Sequence, residues 1–111
     1  MKSEELNSID FKSQLEDCYE DVKPYLEAEL EKLRKRLIAL PDNASEGDKL
    51  AAVQHCVEAL NILSNTFDDD ENIDGGIDTD EREILCENIY QMGSIVGLDA
   101  DTDYVDEWRE W

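Results

Sequence analysis

The chain has 111 residues, with 30 acids against 10 bases and a formal net charge of −20. That length suits one domain over 1–111 with a single modest core, and an apolar content of 41% argues against wholesale disorder. The charge excludes easy contact with a nucleic-acid backbone or an anionic membrane surface, since both repel it, and it favours basic protein partners.

The opening residues, MKSEELNSID, are polar and acidic, so residues 1–7 are expected to fray, and no secretory signal is read there. Asn7 or Ser8 can cap a first helix whose apolar stripe is Ile9, Leu15, Cys18, Tyr19 and Val22. Pro24 permits a kink or a fresh helix start. Beyond it Leu26, Leu30, Leu33, Leu37 and Leu40 recur at alternating steps of four and three, the seam of one bundle helix rather than of a long coiled coil. Lys32, Arg34, Lys35 and Arg36 gather on this helix and are expected to answer acids on a neighbour.

Leu40-Pro41-Asp42-Asn43 is a strong stop, and Ser45 offers a cap for a third helix with Leu50, Val53, Val57, Leu60 and Leu63 on one face. His55 and Cys56 lie side by side there. Adjacent helical residues diverge by about 100°, so they do not form a nucleophile pair, and no enzymatic activity is expected. Asp78 or Thr79 caps a fourth helix, Asp78 with Glu81 forming a capping box. Leu85, Ile89, Met92 and Val96 are its apolar face, and Gly97 stops it. A short closing helix carries Tyr104, Trp108 and Trp111 on one side, with Trp111 the more exposed tryptophan. No stretch alternates as a half-buried strand does. The expectation is an all-α compact bundle of four to five helices, with an acidic loop between helices three and four. Cys18, Cys56 and Cys86 form no CxxC pair and suit buried small side chains in a reducing, cytoplasmic setting. No apolar run nears the ~20 residues that span a bilayer.

Charge is distributed unevenly. Residues 1–66 hold 14 acids and 8 bases, whereas residues 67–111 hold 16 acids and 2 bases. Between Asp68 and Glu83, nine carboxylates and one arginine surround the Gly75-Gly76 break. Such a run repels itself and calls for a cation, a basic partner or water. One reading is calcium. Asp70, Asn72, Asp74, Gly75, Asp78 and Glu81 fall at positions 1, 3, 5, 6, 9 and 12 of a twelve-residue loop, with Ile77 at position 8. Residues 70–81 thus resemble an EF-hand loop, which implies oxygen ligation of calcium by Asp70, Asn72, Asp74, Asp78 and Glu81. A second set, Asp99, Asp101, Asp103 and Glu110, has Tyr104 where the glycine belongs.

The other reading is an interface. Asp68, Asp69, Asp70, Glu71, Asp74, Asp78, Asp80, Asp101 and Asp103 would meet a cationic cleft, with Trp111 as an aromatic anchor. In its small size, helical pattern, lack of a catalytic constellation and acidity, the chain resembles bacterial immunity proteins of contact-dependent growth inhibition and other polymorphic toxin systems. The resemblance implies a cognate toxin, a basic nuclease domain, neutralised by direct binding, with no cofactor. A further alternative is a nucleic-acid mimic that inhibits a restriction or CRISPR-type nuclease by the same charge.

Overall fold

Leu26, Leu30, Leu33 and Leu37 are all fully buried, and the molecule is built around that seam. Each contributes about 2 kcal/mol relative to staying exposed. The structure, a computed structural model, describes residues 2–99 and 102–111. Among them it is all-α and compact, with six helices, three of them long. These are α1 (Lys2–Asn7), α2 (Phe11–Gln14), α3 (Lys23–Ala39), α4 (Glu46–Asp69), α5 (Thr79–Ile95) and α6 (Tyr104–Trp108).

α3 starts just ahead of Pro24, so the proline opens a new helix and does not kink an old one. Leu40 is extended (φ −68°, ψ 142°), as a residue before proline must be, and that ends α3. Ser45 then caps α4, its hydroxyl accepting the Asp48 N–H at 3.1 Å. α4 returns antiparallel to α3: Tyr25 at the start of α3 meets Phe67 near the end of α4 at 5.6 Å between ring centroids. Midway, the Cys56 thiol donates to the Glu29 carbonyl at 3.7 Å. α5 packs on both, burying Leu85, Ile89 and Met92 completely. It ends where Gly97 takes φ +94°, with Leu98 N–H on Gly93 O and Gly97 N–H on Ser94 O, the paired bonds of a Schellman stop.

The first twenty-two residues depart from expectation. Residues 2–7 form a helix that buries Leu6 instead of fraying. The next helix is a single turn capped by Asp10, whose carboxylate accepts the Ser13 N–H, and residues 15–22 then run as turns. Ile9, Leu15, Cys18 and Val22 are buried as expected, but Tyr19 is turned outward and is 45% exposed. The basic cluster on α3 also differs. Lys32 and Arg34 pair with Glu29 and Glu31 on their own helix, and Arg34 lies 4.1 Å over the Phe11 ring and donates to the Ile9 carbonyl.

At the far end, α6 is held to α4 by Asn61. Its amide donates to Trp108 O at 2.8 Å and accepts from Glu110 N–H at 2.9 Å. No helix of the described residues is long and apolar enough to cross a membrane.

Candidate functional site: an acidic face from two segments

The acidic stretch begins inside a helix. Asp68 and Asp69 occupy the last turn of α4, where no base is present to answer the negative end of the helix dipole. Asp70 is the C-cap, and its carboxylate accepts the Asn72 N–H at 2.9 Å, closing a tight local turn. From there the loop is pinned inward by Ile73 and Ile77, which pack on the core, while Glu71, Asp74, Asp78 and Asp80 stay exposed. Apolar residues hold the loop and carboxylates cover it.

The loop is docked on residues that the sequence reading passed over. The Asp21 carboxylate accepts the N–H groups of Asp74 at 2.7 Å and Gly75 at 3.4 Å. The Tyr19 hydroxyl donates to the Asp78 carboxylate at 3.0 Å, and that bond, then the charge of Asp78, raises the tyrosine pKa above its ordinary value. The Tyr19 ring lies directly over Gly75, where an added Cβ would collide with its Cβ and Cγ. Gly75 is therefore required by a close approach and not by a left-handed turn, since Gly97 is the glycine with positive φ among the described residues.

Through this docking, Asp17, which shares a cleft with Asp78 and Asp80, and Asp21, which holds the Asp74 N–H, join the carboxylates of 68–80 to make one acidic face. The signal was legible as four acids in the six residues EDCYED at 16–21. None of the ion pairs formed by described residues, Lys23–Glu20, Lys32–Glu29, Arg34–Glu31 and Arg109–Asp106, reaches residues 68–83.

Glu81 is placed apart from this exposed set. It is 3% exposed, and its carboxylate accepts the Asp78 N–H at 3.1 Å at the start of α5. It also lies against Cys18, whose thiol is pushed up to about 11 by burial first and then by the charge and hydrogen bond of Glu81. The calcium pattern Asp70, Asn72, Asp74, Asp78 and Glu81 is thus divided among a local turn, a loop surface and a helix cap. Among the described residues, no three carboxylate, histidine or cysteine side chains are gathered to hold a metal ion. His55 is exposed while Cys56 is buried toward Glu29, so the two side chains point apart.

The C-terminal contribution is not contiguous with this face. Asp103 is exposed and begins α6 with φ 50° and ψ 37°. The neighbouring Tyr104 packs against Gly93, fourteen residues along α5 from Thr79, or about 21 Å of helix axis. Asp103 therefore forms a separate patch, and Asp101 lies outside the described residues. Trp111, expected to be exposed, is half-buried against the core, with the Arg109 guanidinium 5.4 Å from its ring and its indole N–H buried. Trp108 is likewise half-buried, 6.3 Å from the buried Tyr104 ring. The exposed aromatics beside the acids are Tyr19 and Tyr25 instead.

Comparison with protein-family models, with curated proteins and with solved structures returns no match.

Proposed function

We propose that this chain is a stoichiometric inhibitor, an immunity protein that binds and neutralises a cognate basic toxin domain of nuclease type. The observation that carries the reading is the acidic face itself. Two segments some fifty residues apart are fastened together by Asp21 and Tyr19 so that their carboxylates share one surface, and none of the ion pairs formed by described residues reaches residues 68–83. Holding like charges together costs stability, and a catalytic cleft built for phosphates would reverse that cost on binding. The field also speeds encounter, which matters to a protein that must capture a toxin before it acts. Tyr19 and Tyr25 supply the exposed aromatic surface that such interfaces use as anchors.

The deciding experiment is a nuclease assay in which candidate basic toxin domains, sought in the coding region next to this chain's own, are titrated with the purified protein. Complete loss of cleavage at equimolar protein, with growth of toxin-expressing cells restored on co-expression, is the expected outcome. Full nuclease activity in the presence of a large excess would refute the reading.

A further inference from the structure

The large apolar side chains that the described residues expose include Tyr25, 48% exposed, and Ile62, 67% exposed. Their surroundings differ. Ile62 stands five positions before Phe67 on α4, about 140° round the helix from that buried ring, and a single apolar side chain of this kind is ordinary on a surface. Tyr25 is not single. Pro24 beside it and Ala28 one turn further on are both exposed, so the start of α3 shows solvent a small apolar face. The Tyr25 ring stands edge-on to the Phe67 ring, 5.6 Å between centroids and 63° between planes. Phe67 is itself buried, so the contact fixes the tyrosine, and the cost of ordering that ring is met before any partner arrives.

The charge beside this face says what covers it. Asp68 and Asp69 follow Phe67 directly, and both are exposed in the last turn of α4. They stand at the negative end of the helix with no base in that turn, where their charge works against the fold. A second copy of this chain would bring the same carboxylates to the same place and be repelled. The complementary cover is a segment of another protein that carries an apolar side chain between cations. We propose that Tyr25 is an anchor of the interface, seating an apolar side chain of the basic partner against itself and Ala28 while flanking lysines or arginines reach Asp68 and Asp69. The inference rests on the acidic face being a partner surface, and it adds where the apolar part of the binding is made. Charge at Asp68 and Asp69 governs encounter, and the contact at Tyr25 governs residence.

Two short lysine-rich peptides, identical in charge and differing only in a central leucine or serine, test it by titration at low salt. The leucine peptide should bind about three- to ten-fold more tightly, as half-burial of a leucine side chain gives. Tyr25→Ala should bring it down to the level of the serine peptide. Ala28→Gln, a change at an exposed helical position, should narrow the same preference and serves if the Tyr25 variant loses helix content. Ile62→Gln should leave the preference intact. Equal binding of the two peptides, a preference that survives both α3 variants, or one that vanishes in Ile62→Gln overturns the anchor and leaves the acidic interface standing. Dimerisation of the protein alone, abolished by Tyr25→Ala in sedimentation, would put a second copy on this face and also overturn it. Failure of both peptides to bind overturns the anchor and the interface together.

Discussion

Gly75 illustrates how a residue that stands in a recognisable sequence pattern can be held by a contact the sequence does not show. Its place after Asp70, Asn72 and Asp74 suggested the sharp turn of a calcium loop, whereas the structure uses it to admit the Tyr19 ring. Because an added Cβ would meet the root of that side chain and not its tip, Gly75→Ala should cost about 1–3 kcal/mol. In a Tyr19→Gly background, which removes the Cβ that the new methyl would meet, the same change should cost much less, and denaturant melts of the four proteins measure the coupling. Cys18 allows a second prediction at this scale. Its thiol is buried beside Glu81 and titrates near 11 in the folded protein, against 9.0 as the ordinary value. The folded state thus holds the proton longer than the unfolded chain does. The associated stability is fully present below pH 9 and is lost as pH rises toward 11, by about 2–3 kcal/mol. Melts of the protein and of Cys18→Ala across that range should show the alkaline decline flattened in the variant. An identical decline would mean that other groups cause it.

At the level of elements, the last turn of α4 carries a conflict between stability and function. Asp68 and Asp69 stand at the negative end of the helix with no base in that turn. Replacing both with lysine should therefore stabilise the fold, by about 0.3–1 kcal/mol for each position. The same replacement should slow association with the basic partner while leaving helix content unchanged. A rise in melting temperature together with a fall in on-rate is the expected pair of results. Unchanged association would remove these residues from the interface. The three long helices themselves were legible, because Leu26 to Leu37, Val53 to Leu60 and Leu85 to Met92 repeat at helical spacing and the flanking Pro41, Ser45, Asp78 and Gly97 mark their ends. The stretch before α3 was not legible as it folds. Ile9, Leu15, Cys18 and Val22 have a helix-like spacing, yet Asp10 caps a single turn, and residues 15–22 break away to carry Tyr19 and Asp21 to the loop. Periodicity reports which residues are buried. It does not report that a turn is recruited by a segment more than fifty positions later, and so the contribution of Asp17 and Asp21 to the acidic face was missed.

For the whole molecule, charge acts on folding and on binding with opposite signs. The body measures 45 × 27 × 22 Å, and a net charge of −20 on it means that nearly every acid is repelled by several others. The ion pairs formed by described residues each join residues only three positions apart and offset little of this. Added salt screens the repulsion, so raising ionic strength from about 50 mM to about 500 mM, which shortens the screening length roughly threefold, should raise the melting temperature. The attraction to a basic partner is screened by the same ions. Its association rate should fall steeply over that range while its dissociation rate, set by close contacts such as those at Tyr19, changes little. Thermal melts and stopped-flow binding in matched buffers read the two effects. If stability and on-rate moved in the same direction, the negative surface would not be the element that both strains the fold and steers the partner.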